Sequence, residues 1–190
     1  LYYIAEVLHS LGYHVVAYDA PAHGKSSGKT TNMLQMIATV SHLDKSENGF
    51  DYFIGHSFGA MAIFNYCKNE GKAKKIVTIG AADNMRTIFE NFIASVGLSK
   101  KVLKRMTAYF EEKFRVNIDD FSPFVAVQQM QIPTLLLHDK EDYDVSASCA
   151  DNIAKHHPNA KVIKTKGLGH RRILRDKNVM EHIKSFIQQI

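Results

Sequence analysis

Ser57 lies between two glycines in the stretch DYFIGHSFGA, residues 51–60, as Gly55-His56-Ser57-Phe58-Gly59. The bare pattern decides little, since residues at typical frequencies reach it by chance in roughly one chain of this size in twenty. Its context says more. Phe50, Tyr52, Phe53 and Ile54 ahead of it have the composition of a buried strand, and Phe58, Met61, Ala62, Phe64, Asn65 and Cys67 behind it continue at helical spacing until Gly71 offers a stop. Ser57 is therefore expected on a sharp strand-to-helix turn. Such a turn strains the serine backbone and draws neighbouring chain close, so Gly55 and Gly59 read as places with no room for a side chain. The hydroxyl would then project above a sheet while the free N–H groups of a helix N-terminus point at the same spot. A serine hydroxyl is a weak nucleophile at neutral pH, so the reading requires a histidine to take its proton and an acid to orient that histidine.

In an open parallel sheet chemistry gathers at the carboxyl ends of the strands, and two stretches qualify. PTLLLH (133–138) is followed by Asp139-Lys140-Glu141-Asp142-Tyr143-Asp144-Val145, where crowding of like charges marks some carboxylates as solvated surface groups. KVIKTK (161–166) is followed by Gly167-Leu168-Gly169-His170, and His170 is the only histidine placed just after the last expected strand. On position alone, most such histidines are surface or core residues with satisfied hydrogen bonds.

The elements that must position these residues alternate between the two periodicities. Tyr3, Ile4, Val7, Leu8 and Leu11 share one helical face, stopped by Gly12; Tyr13–Tyr18 reads as a short buried strand; and a turn-rich loop, Asp19–Ser26, leads to a helix from about Asn32 to Leu43. KIVTIG (75–80), PTLLLH and KVIKTK read as further strands, and 176–190 as a closing helix with Val179, Ile183, Phe186, Ile187 and Ile190 on one face. Strands alternating with helices predict an α/β fold, a mostly parallel sheet with helices on both faces. The interval 84–131 is too long for a plain crossover. Ile88, Phe89, Phe92, Ile93 and Val96 form one amphipathic run and Val102, Leu103, Met106 and Phe110 a second, separated at Gly97. The expected division is a core of 1–83 and 132–190 with a helical cap insertion at 84–131; a thickened helical layer or a homodimer face is the alternative for the same helices.

Composition narrows the function classes. With 190 residues, 45% hydrophobic and 23% charged, the chain fits one globular domain. No apolar run approaches a membrane span and the N-terminal residues lack the features of a signal peptide, so a cytoplasmic protein is the default expectation. Cys67 and Cys149 have no metal-type or redox-type spacing and read as reduced thiols. The net charge of +5 is scattered without interleaved aromatics, which speaks against nucleic acid as a partner. Ten histidines include no His-Glu-x-x-His, and His156-His157 are adjacent, so no metal is expected.

Taken together, these stretches resemble the α/β-hydrolase superfamily, with Gly55–Gly59 as its nucleophile elbow. The resemblance runs from about residue 2 to 186 and fails only across the insert. Asp19-Ala20-Pro21-Ala22-His23-Gly24-Lys25-Ser26 looks like the superfamily's non-catalytic Asp-x-Pro-Gly-His-Gly-x-Ser loop, with Ala22 for the first glycine. The strand ending His-Gly, two residues, Asp, two residues, Val is matched by His138 to Val145 with Asp139 for the glycine, which puts a charge near the site. The resemblance thus implies Ser57 as nucleophile, Asp142 as acid and His170 as base, in that chain order, with the Phe58 N–H in the oxyanion hole. Asp83, after KIVTIG, matches an acid position used by some members, and Asp144 is the local competitor. Arg171, Arg172 and Arg175 either steer an anionic substrate or, more commonly for such arginines, pair with Asp139 or Glu141 and hold the histidine loop.

The implied activity is hydrolysis of a small-molecule carboxylic ester or thioester through an acyl-enzyme, without a cofactor. Members that open epoxides or remove halides use Asp as nucleophile, so Ser57 argues against both. Perhydrolase or acyltransferase chemistry by the same residues, and a non-catalytic binding protein on a hydrolase fold, are the alternatives. The resemblance also implies a strand ahead of the helix at residues 2–11, lying between HVVAYD and DYFIGH, whose exit loop supplies a second oxyanion donor. With Leu1 already inside that helix, the N-terminal strands are expected to be missing from this chain and supplied by an upstream segment, by a partner chain, or replaced by direct pairing of HVVAYD with DYFIGH. The 190 residues alone are then expected to be poorly stable and weakly active.

Overall fold

The computed structural model describes residues 1–189. Its short β-branched and aromatic runs form β1 (Tyr52–His56), β2 (Lys75–Ile79), β3 (Thr134–Asp139) and β4 (Ala160–Thr165), one parallel sheet in the order β1-β2-β3-β4. The register sets His56 beside Ile79, Ile79 beside Leu137, and Asp139 beside Thr165. Because all strands run the same way, the residues following them emerge at one edge of the sheet.

The helices are α1 (Tyr2–Ser10), α2 (Met33–Ser46), α3 (Phe58–Cys67), α4 (Met85–Ser95), α5 (Lys100–Phe114), α6 (Pro123–Ala126), α7 (Ser148–His156), α8 (Gly169–Arg172) and α9 (Lys177–Gln188). Side-chain caps start several of them. Asn32 accepts the Gln35 N–H at 3.0 Å, Asn84 the Arg86 N–H at 2.8 Å, and Asp176 the Val179 N–H at 3.0 Å. Strand alternation divides the core. Phe53, Ile76 and Leu136 join residues of α2, α3 and α7 on one face, while Val77, Ile79, Leu135 and Leu137 join Ile4 and Leu8 of α1 and Val179 and Ile183 of α9 on the other. Helices on both faces leave β2 and β3 buried throughout, apart from half-buried Lys75.

Tyr13–Tyr18 departs from its expected strand. It belongs to no ladder, and Tyr18 is 41% exposed; Tyr13 and Val15 alone of this stretch pack on the second cluster, Tyr13 meeting the Tyr52 ring edge-on at 5.9 Å. β1 pairs with β2 alone, so its outer edge is free, but a β-branched run becomes a strand only where its backbone hydrogen-bonds along such an edge, and this run does not. Direct pairing of HVVAYD with DYFIGH is therefore not found. The helix after the elbow also ends early, at Cys67 rather than Gly71.

Residues 84–131 fold as helices. α4 and α5 are separated at Gly97, whose φ of +67° a glycine adopts freely, and 3₁₀ turns at Ile118–Phe121 and Val127–Gln129 flank α6. Ile88, Phe89, Phe110 and Phe121 enter the core cluster shared with α2 and α3, where Phe89 and Phe121 meet Phe110 edge-on at 6.2 and 6.4 Å. Phe92 and Val96, placed by their spacing with the inward residues, instead lie 54% and 50% exposed. Of the closing helix's expected apolar face, Ile190 lies outside the described residues. Both cysteines are free and buried, and burial pushes each thiol up to about 12, which leaves them inert. No helix among the described residues is long and apolar enough to cross a membrane.

Two buried histidines make the fold acid-sensitive. His157 Nε2 donates to the Ile132 carbonyl and His138 Nε2 to the Val145 carbonyl, each at 3.0 Å. Burial lowers both pKa values from 6.5, and these hydrogen bonds oppose the shift only in part. Above that pH the rings are neutral whether folded or not; below it the unfolded chain takes up protons that the folded chain refuses, so stability drains as pH falls. Thermal denaturation should show Tm steady from about pH 8 to 7 and declining below about pH 6.5. A Tm that stays level or climbs through that lower window would contradict the burial argument.

Candidate active site

The ends of β1, β2, β3 and β4 bring the chemical residues together. Ser57, directly after β1, has φ +52° and ψ −123°, a conformation that costs a non-glycine residue on the order of 1–3 kcal/mol. It is held there by its N–H, which donates to the Ile79 carbonyl at 2.9 Å, and by α3, which starts at the next residue. The Phe58 N–H lies in the first turn of that helix and has no partner among the described residues. Gly55 is sterically required, since a Cβ there would lie 2.7 Å from Ala60 Cα and 2.6 Å from Ile63 Cδ1. Gly59 is not: nothing lies within 4 Å of its Cβ position.

Asp142 and His170 meet across the exits of β3 and β4. Asp142 Oδ2 is 2.6 Å from His170 Nδ1, and its Oδ1 accepts the N–H groups of Asp144 and Val145 at 2.9 and 2.8 Å. A carboxylate only accepts, so Nδ1 carries the proton and Nε2 is left as the basic nitrogen. The Asp142 side chain is 1% exposed and that of His170 10%. His138 Nε2 stands 3.4 Å from the same Oδ2 and closes that side of the carboxylate. Of the rival acids, Asp83 is engaged by Asn152 Nδ2 at 2.6 Å, and Asp144 is exposed and reaches Asp142 through its N–H. No hydrogen bond joins His170 Nε2 to Ser57 Oγ among the described residues. The two are neighbours through β2: Ile79 holds the Ser57 N–H, and the next residue, Gly80, lies directly under the His170 ring.

Several residues around this pair escaped the sequence reading. Gly80 has φ +59°, and a Cβ there would stand 3.1 Å from both Cε1 and Nδ1 of His170. The His56 ring lies 4.5 Å from that of His170 and donates through Nε2 to the His170 carbonyl at 2.9 Å. Burial lowers the His56 pKa and outweighs this hydrogen bond, so the ring stays neutral beside His170. Asp139, expected to place a charge near the site, is fully buried there, and its carboxylate is satisfied by donors from both loops. A glycine after a strand and a histidine inside the elbow were the available signals for the first two. His170 is the second residue of a short helix, α8, whose entry uses Gly167 and Gly169 at φ +85° and +63°. Of the arginines, Arg172 secures that turn through the Leu168 and Gly167 carbonyls at 3.1 and 2.8 Å rather than through Asp139 or Glu141.

Asp142, Asp144 and His170 offer ligand atoms within 4.8 Å of one another. A cation there would have to displace the hydrogen bonds that already occupy both Asp142 oxygens and His170 Nδ1. The set fits an acid–base pair better than a metal centre.

Gly80→Ala should force the imidazole away from its seat, since the new methyl meets the ring on a rigid strand end at a φ unfavourable for alanine. If His170 takes part in turnover, kcat should fall about 10–100-fold with the fold retained, by analogy with other misplacements of reacting groups. Wild-type kcat in a folded Gly80→Ala protein would count against this packing.

A family profile described as alpha/beta hydrolase fold matches residues 2–124. Among curated proteins nothing matches. Solved structures resemble the chain closely in fold at low identity. A bromoperoxidase from Bacillus anthracis superposes with a TM-score of 0.75 at 21% identity, covering 99% of this chain and 86% of that one. An esterase from Exiguobacterium antarcticum gives 0.73 at 14%, again covering 99% and 86%, and a monoacylglycerol lipase from Paleococcus ferrophilus gives 0.71 at 18%, covering 97% and 86%. The parallel sheet, the strained serine between β1 and α3, and the profile match over most of the chain agree, and the protein belongs to the α/β-hydrolase fold family.

Proposed function

We propose that the protein is a serine hydrolase that cleaves a carboxylic ester or thioester through an acyl-enzyme. The observation that carries the reading is the buried Asp142–His170 contact at 2.6 Å, set beside a serine held in a strained turn. Ser57 Oγ attacks the acyl carbonyl as His170 Nε2 takes its proton. The tetrahedral oxyanion is met by the Phe58 N–H at the start of α3. Collapse expels the alcohol or thiol, protonated by His170; water then repeats the sequence to release the acid and free Ser57. Asp142 fixes the imidazole tautomer and stabilises the imidazolium, and neutral His56 adds no opposing charge beside it. The missing Ser57–His170 hydrogen bond is compatible with this role, because catalytic hydrogen bonds are often long without substrate and tighten on binding.

The insert 84–131 serves as a cap. Its inward residues Ile88, Phe89 and Phe110 pack into the same cluster as Phe58, beside the nucleophile, which supports an apolar wall for the acyl group. The bromoperoxidase name carried by one structural neighbour favours a second reading, in which hydrogen peroxide replaces water at the acyl-enzyme and releases a peracid.

A serine-directed fluorophosphonate should label the protein at Ser57, and Ser57→Ala should abolish labelling. On p-nitrophenyl esters or acyl-CoAs of graded chain length, Ser57→Ala or His170→Ala should lower kcat by about 10⁶ and Asp142→Asn by about 10⁴, on the scale of other serine hydrolases. Near-normal activity in Asp142→Asn with loss in Asp83→Asn or Asp144→Asn would refute the acid assignment. Peracid formation from a carboxylic acid and peroxide in excess of ester hydrolysis would favour the second reading.

A further inference from the structure

Asp139 occupies a position the mechanism does not use, yet its carboxylate is fully enclosed. Oδ1 accepts the Glu141 N–H at 2.9 Å, while Oδ2 accepts Thr165 Oγ1 at 2.6 Å and the Leu168 N–H at 3.1 Å. These donors come from two different strand exits. Glu141 precedes Asp142 in the β3 exit; Thr165 is the last residue of β4, and Leu168 lies in the loop from it to His170. The Lys140 N–H adds a backbone tie to the Thr165 carbonyl at 2.9 Å, and the Asp142 N–H returns to the Asp139 carbonyl at 3.2 Å. Burial by itself would raise the Asp139 pKa, but hydrogen bonds from Thr165 and from the Gly169, Glu141 and Leu168 N–H groups outweigh it and hold the carboxyl below its ordinary value. The charge is thus kept without a cation, by donors that exist only when both loops are in place.

We propose that Asp139 is a positioning residue, whose buried carboxylate staples the Asp142 loop to the His170 loop and so sets the contact between acid and base. The proposal rests on the catalytic roles given above to Asp142 and His170. A glycine at this position, as in the pattern the sequence resembles, could not make this tie. Asparagine is nearly isosteric, but its amide group would face donors: whichever way it is turned, at least one of the Glu141 and Leu168 N–H groups loses its acceptor. The two loops would then be free to shift against each other, and a small displacement of His170 weighs heavily on proton transfer while leaving acyl-group binding unchanged.

The test compares the wild-type chain with Asp139→Asn, Thr165→Val and Thr165→Ser below their melting temperatures. Two readouts are followed: steady-state turnover of a p-nitrophenyl ester, and the downfield proton resonance of His170 Nδ1–H. Asp139→Asn is expected to lower kcat about 10–100-fold with KM changed less than about two-fold, and to shift or broaden the resonance. Thr165→Val, which removes one donor and keeps the charge, should lose less in the same pattern, and Thr165→Ser, which restores the hydroxyl, should recover it. A merely structural role predicts lower Tm with wild-type kcat and resonance in the folded protein, and that result overturns the proposal. Should Asp139→Asn fail to fold, the valine and serine pair decides: equal, wild-type behaviour of both overturns it as well. Absence of Ser57-dependent turnover in the wild type would sink the hydrolase reading, while the resonance would still report whether Asp139 positions His170.

Discussion

The buried Asp142 carboxylate is the constraint on which the site depends. A carboxylate whose side chain is almost wholly removed from water must have its lone pairs filled, and every donor that fills them fixes some part of the surroundings. The N–H groups of Asp144 and Val145 curl the β3 exit into a tight turn, and the remaining oxygen is left for His170. The orientation of the imidazole is therefore a consequence of satisfying a buried charge. His138 packs against the same oxygen and is tied through the Val145 carbonyl to the end of that turn.

Parallel topology makes this arrangement available. Because every strand leaves the sheet at the same edge, residues far apart in sequence emerge side by side, and the spacing between strands sets the spacing between functional groups. Two absent side chains then make room. Gly55 lets α3 close onto β1 so that the chain can turn at Ser57, and Gly80 leaves the surface on which the His170 ring rests. The strain at Ser57 is sustained by the strand before it, the helix after it and the hydrogen bond to Ile79. The loop after residue 18 shows that such conformations do not always demand glycine: Ala22, where the resembling pattern has glycine, sits at φ +63°, with its N–H bonded to the Ser27 carbonyl at 3.0 Å. Asp19 organises that loop by accepting the Lys25 N–H at 2.8 Å.

Periodicity and punctuation in the sequence were enough to read β1 to β4, the helices of the insert and the closing helix, because burial on one face or two imposes those patterns locally. The serine turn was legible for the same reason: an apolar strand, glycines and a helical run are all contiguous. The choice of Asp142 and His170 needed the resemblance to a known pattern, since like-charged neighbours and lone histidines are common without function. HVVAYD misled because its composition is that of a strand, while strand formation depends on backbone pairing with another segment, and the free edge of β1 is not paired with it. Gly59 misled because its spacing matches a steric requirement that its surroundings do not impose.

The sequence by itself thus determined the order of elements, the position of the serine between strand and helix, and the residues able to act as base and acid, all of which are properties of short contiguous segments. Tertiary structure alone decided which carboxylate meets His170, that Gly80 and His56 flank its ring, and that the buried Asp139 carboxylate joins two loops. Those outcomes depend on hydrogen bonds and van der Waals contacts between segments separated by tens of residues, as between Asp139 and Leu168 or His56 and His170. No local periodicity encodes such contacts. They follow from the register of the sheet and from the requirement that groups taken out of water find partners there.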